Sequence, residues 1–398
     1  MAGKLPMGQK DLLRAKILEM VKEEKMSLRE ASVRLKVSYR QAKRLYSRYK
    51  AEGDRGLIHR TQGRASPRKM AEEMRQRIVE TYKESYLGFG PTFAAEKLKG
   101  REGLAVGRET LRRVLMEEGV WKRKKRRRAY HSRRTPRERF GELVQFDGSH
   151  HDWFEGRREK CCLMNMVDDA TGTTMSFLCE QETTESAMKL LWMWIERYGI
   201  PQAVYCDRKN AFVLDREPTI TEQLEGITPK SPFQKACERL GIEVIIAYSP
   251  EAKGRVERNH GVYQDRFVKE LRLAGISTID EANGFLREVY LPEINLRFAK
   301  IPAQPEDAHV PLLDGADLRD IFCFETQRVV SRDNMIQFEK RLFRIPENLS
   351  SRPLPGKSVT IRKWLDDSLH FMWKNHPLFV EEYALPQKNK EVSGKKSA

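Results

Sequence analysis

The chain has 398 residues and carries 74 Lys and Arg against 57 Asp and Glu, a net charge of +17. This length predicts two to four compact units, and the positive surplus favours a polyanionic partner, nucleic acid first. The longest apolar stretches are short and interrupted, and the N-terminal residues lack a secretory pattern, so we expect a cytoplasmic protein without a membrane partner.

The first fifty residues carry apolar positions at helical spacing, which predict three short helices. Ser27 with Glu30, and Ser38 with Gln41, each match a capping box at a helix start. The short link between these two helices has helix-turn-helix spacing. The last helix presents side chains that suit phosphates and base edges in a major groove: Arg40, Gln41, Lys43, Arg44 and Arg48. A solvated bundle face is the alternative, but the basic last helix favours DNA binding.

Residues 67–121 repeat this pattern more weakly. Helices are predicted around 70–86, 91–99 and 108–118, and the last includes Arg112 as a candidate DNA contact. An unbroken basic run follows, which cannot pack in a core and predicts an extended linker. The run is either simply solvated or lies along a phosphate backbone, and we favour the second for four residues at its centre: Lys124, Lys125, Arg126 and Arg127.

From residue 143 the pattern changes to that of an α/β unit. Three strands form a predicted antiparallel meander, then a helix, a strand, a helix, a fifth strand and a long final helix follow. The predicted strands are 143–146, 161–167, 173–179, 203–206 and 244–247, and the predicted flanking helices are 184–198 and 253–273. Polar, Pro-containing residues 213–230 interrupt this order and predict an inserted loop.

After Pro302 five short β-rich segments suggest a small closed barrel, and the Lys-rich tail is expected to be disordered. The predicted fold class is therefore multidomain, with N-terminal all-α helix-turn-helix modules, a central α/β core and a C-terminal small β-barrel. The expected boundaries are 1–66, 67–121, a linker 122–139, a catalytic core 140–300, a linker 301–318, a barrel 319–386 and a tail 387–398.

Three acidic residues occupy positions that converge in such an α/β core. Asp147 ends the first strand, Asp207 ends the fourth, and Glu257 lies in the first turns of the last helix. Three carboxylates there can surround two metal ions about 3.5–4 Å apart, the arrangement used for phosphoryl transfer. Oxygen ligands suit Mg²⁺, and we expect two ions, with Mn²⁺ able to substitute. Other acidic residues nearby are interpreted as turn or helix-end residues: Asp152, Asp168, Asp169 and Glu251.

The sequence around these three residues resembles the integrase core of DDE insertion-sequence transposases. The similar segments are Val144 to Ser149, Tyr205 to Asp207 with Phe212 downstream, and Tyr248 to Arg258. Among such proteins the order of modules is most similar to the ISNCY assemblage. The resemblance implies a ribonuclease H-like (RNase H-like) core that cleaves and joins DNA at terminal inverted repeats. It also implies a nucleoid-associated bacterial protein that acts on DNA as at least a dimer.

The last helix adds two candidate DNA contacts. Lys253, Glu257, His260 and Gln264 fall on one face at helical spacing, so Lys253 and His260 can hold phosphates beside the metal site. For His260, a buried polar group without that role is an equal alternative. The neighbouring apolar face, which includes Val256 and Tyr263, is predicted to be core.

Two further interpretations remain open beside the DNA-joining enzyme. One is a DNA-binding repressor that keeps an inactive core, and the other is a nuclease that hydrolyses DNA without joining ends. No nucleotide cofactor is expected, because the chain lacks a phosphate-binding loop motif. The six scattered cysteines are interpreted as reduced, buried thiols. The pairs His150–His151 and Cys161–Cys162 also admit a zinc site, but adjacent residues rarely converge on one tetrahedral ion.

Overall fold

The fold is described from a computed structural model of the chain. It describes residues 7–58, 70–123, 134–208, 211–214, 216–224, 226, 228–247, 254–313, 315–346 and 354–383. Two compact units, residues 1–80 and 81–398, are described separately. Five predicted DNA contacts fall outside the described residues: Lys124, Lys125, Arg126, Arg127 and Lys253.

The first unit contains the three predicted N-terminal helices, α1 (Gln9–Lys22), α2 (Leu28–Arg34) and α3 (Tyr39–Glu52). The capping box of Ser27 and Glu30 is complete at the start of α2, whereas Ser38 makes only the half in which its side chain accepts from Gln41 N. Lys36 adopts a positive φ of 51° between α2 and α3, which reverses the chain in a short turn. The spacing of a helix-turn-helix is therefore present.

A second group of helices follows. Helix α4 (Glu72–Ser85) runs from the first unit into the second, and α5 (Pro91–Arg101) and α6 (Arg108–Glu117) belong to the second unit. These bounds agree with the three predicted helices. The buried side chains Phe93, Leu98 and Leu111 supply the apolar contacts that hold α5 and α6 together.

A five-stranded mixed sheet forms the centre of the second unit. Its strands are β1 (Val144–His151), β2 (Cys161–Asp168), β3 (Thr174–Cys179), β4 (Ala203–Cys206) and β5 (Glu243–Ile246), arranged in the order β3-β2-β1-β4-β5. The first three strands are an antiparallel meander, and β4 and β5 run parallel to β1. The predicted α/β core with a mixed sheet is thus confirmed.

Helices cover both faces of this sheet. One face packs against α7 (Thr184–Tyr198) and α9 (Pro232–Arg239) around Val144 and Phe146. The other packs against a run of helices around Trp153, Tyr263 and Phe267. These helices are α10 (Gly254–Leu273), α11 (Ile279–Phe285), a π-helical turn (Leu286–Tyr290) and α12 (Leu291–Phe298).

The insertion between β4 and β5 includes a five-residue helix, α8 (Ile220–Leu224), where the sequence predicted only loop. Its two apolar residues, Ile220 and Leu224, are four positions apart, but two positions are too few to indicate a helix, and both side chains are exposed. Across the described residues, no helix has the length and apolar character needed to cross a membrane.

The C-terminal part begins with α13 (Leu318–Ile321) and continues with β6 (Cys323–Val329), β7 (Met335–Phe338), β8 (Arg341–Arg344), β9 (Ser358–Trp364), β10 (Leu369–Trp373), β11 (His376–Pro377) and β12 (Glu381–Tyr383). These strands form two antiparallel sheets, β11-β10-β9-β6 and β12-β8-β7, around a shared apolar cluster.

The predicted closed barrel is wrong, because no ladder joins the two sheets among residues 315–346 and 354–383. Strand β6 pairs along its whole length with β9, while the β7–β8 hairpin pairs with β12 instead of with β6. Strand number and spacing had suggested the barrel, but they do not specify which strands pair.

The two-sheet part is attached to the central core. Phe322 is fully buried in the core cluster beneath α7 and stacks on Trp192, with ring centroids 5.9 Å apart. Arg239 at the end of α9 forms an ion pair with Glu325 at 2.7 Å. An apolar contact and an ion pair therefore hold the two parts together.

Candidate active site

On one face of β1, every second residue contacts a residue of α10. Side chains alternate along a strand, so Val144 and Phe146 enter the core under α7, while Gln145, Asp147 and Ser149 face α10. Each of these three polar residues meets α10 at positions four apart. Val256 N donates to Gln145 Oε1 at 3.3 Å, His260 Nδ1 lies 3.8 Å from Asp147 Oδ2, and Gln264 Nε2 donates to Ser149 Oγ at 3.3 Å.

Asp207 lies beside Asp147 through the parallel pairing of β1 and β4. Val144 pairs with Val204 and Gln145 with Tyr205, so continuing the same register brings Asp147 level with Asp207, directly after β4. Adjacent strands are about 4.8 Å apart. Val204 and Cys206 both enter the core under α7, so alternation sends Asp207 to the α10 face, where Asp147 also lies.

Glu257 is the fourth residue of α10 and is exposed. Val256 and His260 face β1, and Asn259 is turned to the β2 side, where its Oδ1 accepts from Asn165 Nδ2 at 2.8 Å. Successive residues rotate by about 100° around a helix, so Glu257 projects almost opposite to Asn259. It is thereby directed to the β4 side of β1, where Asp207 follows its strand.

The start of α10 is fixed by the fully buried carboxylate of Asp169. Its Oδ1 accepts from Arg255 Nε at 2.7 Å, from Arg134 Nη2 at 2.6 Å and from Gln145 Nε2 at 2.9 Å. Its Oδ2 accepts from the backbone N of Arg137 at 2.8 Å. Because Gln145 also accepts from α10, this network connects the helix residue before Val256 to the strand that carries Asp147.

The sequence interpretation of Asp169 as a turn residue missed this role. Its neighbour Asp168 does stabilise the turn, since Oδ1 accepts from the backbone N and Oγ1 of Thr171, both at 2.7 Å. Burial raises the pKa of Asp168 above its usual value, although hydrogen bonds to Thr171 and Gly141 oppose that shift. The sequence contains one indication of this role, the basic residue Arg255 within the segment Tyr248 to Arg258. That Arg255 pairs with Asp169 is evident only from the tertiary fold.

His260 is buried on the inner face of α10, with its side chain 9% exposed. It therefore lies next to Asp147 and not on the outer surface of the helix, where a phosphate would approach. Glu257 is exposed, so the two residues of the predicted common face differ in their access to solvent. The predicted apolar face is core, since Val256, Tyr263, Phe267 and Leu271 are all fully buried.

The donor set of this region fits a hard divalent cation. Asp147 and Asp207 are partly exposed, and the register of β1 and β4, continued beyond Cys206, brings them level on one side of the sheet. The rotation of α10 turns Glu257 to the β4 side of β1. Carboxylate oxygens are the ligands that Mg²⁺ prefers, usually with waters and substrate oxygens completing its shell. These three residues would hold the metal.

Among the predicted DNA contacts of the first unit, four are exposed on α3: Arg40, Gln41, Lys43 and Arg44. Ala42 and Leu45 are buried on the opposite side of the helix. Arg48 is half-buried and donates from Nη2 to the carbonyl of Ile58 at 3.2 Å. Arg112, in the second unit, forms an ion pair with Glu109 one turn earlier in α6.

All six cysteines are free thiols, as predicted, and five of them are buried. Burial raises the pKa of Cys161 to about 11. Such a thiol is not reactive at neutral pH.

Comparisons with known proteins agree with this arrangement of modules. A family model described as a helix-turn-helix domain matches residues 13–67, and one described as a homeodomain-like domain matches residues 41–115. The inferred transposase y4bF of Sinorhizobium fredii is 37% identical over 378 residues, which cover 94% of this chain and 81% of that protein. The transposase for insertion sequence IS1202 of Streptococcus pneumoniae is 26% identical over 367 residues, covering 82% and 76% of the two chains.

Among solved structures, the catalytic core of HTLV-2 integrase in complex with magnesium is 21% identical. The match covers 38% of this chain and 89% of that chain, with a TM-score of 0.29.

Proposed function

Because this chain belongs to the transposase family, we propose that it cuts and joins DNA with Asp147, Asp207 and Glu257 as its catalytic carboxylates. The observation that supports this most directly is the parallel register of β1 and β4, because its continuation beyond Cys206 would bring Asp207 level with Asp147 on the same face of the sheet. The substrate would be the terminal inverted repeats of the element that encodes the protein. Two ends must be brought together, so the active form would be at least a dimer on DNA.

The chemistry is phosphoryl transfer by direct displacement at a phosphodiester bond. When bound, Mg²⁺ supplies charge that activates a water or 3′-hydroxyl and stabilises the leaving oxygen, and two ions suit this role. The three carboxylates orient the reacting groups from two strands and one helix. His260 packs behind Asp147 at 3.8 Å and limits the positions open to that carboxylate. No covalent protein–DNA intermediate is required.

End recognition would lie in the helical modules. The exposed Arg40, Gln41 and Arg44 of α3 can reach base edges, whereas backbone contacts supply affinity without sequence information. The basic run at 124–127 would bind phosphates, as would Lys253. The burial of His260 favours a role within the protein over a phosphate contact.

The test measures nicking and joining of labelled end duplexes in Mg²⁺, with Ca²⁺ as a condition that allows binding only. Asp147→Asn, Asp207→Asn and Glu257→Gln should each abolish both reactions and leave end binding unchanged, because an amide cannot replace a charged oxygen ligand. Asp152→Asn is the matched control, since Asp152 lies in the same core and, among the described residues, its side chain accepts from Gly156 N alone, at 2.9 Å.

The result also separates the alternatives. A repressor would bind ends with no metal-dependent cleavage by the unaltered chain. A nuclease would cleave without joining. Near-normal joining by a folded Glu257→Gln protein would contradict the assignment of Glu257.

A further inference from the structure

On the sheet face opposite the catalytic carboxylates, three side chains of different chemistry meet. A ring nitrogen of His150, Sγ of Cys162 and a carboxylate oxygen of Glu182 all lie within 4.8 Å of one another. Histidine nitrogen, thiolate sulfur and carboxylate oxygen are the three ligand types of protein zinc sites. We infer that His150, Cys162 and Glu182 bind a Zn²⁺ ion, separate from the ions of the catalytic site.

The pairing of β1 and β2 explains why these residues converge. His150 is directly opposite Cys162, so their side chains share a face with Cβ atoms about 4.5–5.5 Å apart. Their sequence neighbours point the other way. The ring of His151 packs on Trp153, with centroids 5.2 Å apart, and Cys161 is buried in the core under α10. One residue from each adjacent pair is therefore available, which removes the objection that adjacent ligands cannot converge.

Glu182 is held at this place by the backbone on both sides. It immediately precedes Thr183, whose side chain caps α7. On the other side lies Gly148, two residues before His150 on the same face of β1. A Cβ at Gly148 would be 2.6 Å from Cδ of Glu182, so the absence of a side chain at Gly148 leaves room for the carboxylate in its present position.

The donor set selects a different metal from the catalytic site. Tetrahedral zinc has Zn–S and Zn–N bonds of about 2.3 and 2.0–2.1 Å, which place neighbouring ligand atoms about 3.3–3.8 Å apart. Small rotations of the three side chains would bring their separations to this range. His150 is exposed, so water can complete the four-coordinate shell. The thiolate disfavours Mg²⁺ strongly.

A bound ion would connect β1, β2 and the start of α7 behind Asp147. The site faces α7, whereas Asp147 faces α10, so the two sites lie on opposite sides of one strand. Zinc binding would thus support the strand that carries the first catalytic carboxylate without contacting DNA.

The test uses the full chain, purified without a polyhistidine tag, equilibrated with Zn²⁺ and dialysed in excess Mg²⁺. Elemental analysis should find about one zinc per chain, also in Asp147→Asn, and Co²⁺ should give a sulfur-to-cobalt charge-transfer band. His150→Gln should weaken zinc binding at least tenfold, roughly the loss caused even by removing an outer-shell partner. His151→Gln is the matched control and should bind as the unaltered chain does.

A second matched pair tests the sulfur ligand. Cys162→Ser should lose the cobalt band, whereas Cys161→Ser should keep it, and circular dichroism establishes that each variant is folded. Zinc retention that is equal in His150→Gln and His151→Gln would overturn the inference. So would a chain that retains no zinc after dialysis, or a cobalt band that persists in folded Cys162→Ser.

Discussion

Replacing Asp169 by Asn tests whether this buried carboxylate organises the start of α10. The change keeps the shape of the side chain and removes its charge, which is shared by Arg134 and Arg255. The NH₂ group of Asn replaces one of the two carboxylate oxygens. In one orientation it faces the backbone N–H of Arg137, and in the other it faces the three donors that Oδ1 accepts from. At least one donor therefore loses its acceptor. Asp169 is fully buried, so the donor at this side chain is shielded from bulk water.

The expected loss of stability depends on how exposed the two arginine partners of Asp169 are. Breaking a buried ion pair costs about 3–5 kcal/mol. Arg134 and Arg255 are 48% and 25% exposed and can regain water, so we expect the lower end, about 3 kcal/mol. With an unfolding entropy of about 2.1 cal/mol/K per residue over residues 81–398, this loss lowers the melting temperature by about 4–5 °C.

The assay is thermal unfolding of the full chain, followed by cleavage of end duplexes below the melting temperature of the variant. Cleavage should fall while end binding remains, because Arg255 no longer fixes the helix that carries Glu257. Asp152→Asn, which changes a partly exposed carboxylate that accepts from Gly156 N, should cost less than about 1 kcal/mol. A melting temperature and cleavage rate for Asp169→Asn equal to those of this control would refute the reasoning.

Three other changes have defined outcomes. Alanine at residues 124–127 should reduce the slope of log K against log salt for DNA binding by up to about 3.6, and an unchanged slope would mean that the run is only solvated. Arg44→Ala should cost about 1–3 kcal/mol in binding the end sequence but little for unrelated DNA, as measured by competition. Glu96→Gln removes a carboxylate that accepts from Arg266 at 2.7 and 3.1 Å, and we expect about 1.5–3 kcal/mol of destabilisation by chemical denaturation. No change in stability would show that this ion pair does not stabilise the packing of α5.

The parts of the fold that local signals encode were predictable. The capping box at Ser27 and the apolar periodicity of α7 and α10 place helix bounds within a residue or two of those observed. Apolar runs likewise identified β1 to β5, although the predicted end of β1 at residue 146 is wrong, because the strand continues to His151 and Asp147 lies within it. These patterns involve residues that are close to one another in the sequence, so they can be identified without knowing the tertiary fold.

What was missed depends on partners distant in sequence. The barrel prediction failed because the sequence pattern indicated five strands, missed β11 and β12, and does not specify which strands pair. The role of Asp169 needed Arg134, 35 positions earlier, and Arg255, 86 positions later. His150 and Cys162 converge only because β1 and β2 pair in one particular register.

The stepwise match between β1 and α10 limits how this protein can change in length. Two strand residues advance about 6.8 Å and four helix residues about 6.0 Å, so contacts repeat along both elements. One residue added between Arg255 and Glu257 would rotate the carboxylate by about 100° relative to the arginine that anchors the helix. Insertions between β4 and α9 do not change the angle between Arg255 and Glu257 on α10. The polar insertion that contains α8 is an example. Natural variants and engineered fusions should therefore tolerate extra residues around α8, which follows the buried Phe212, and none within the first turn of α10.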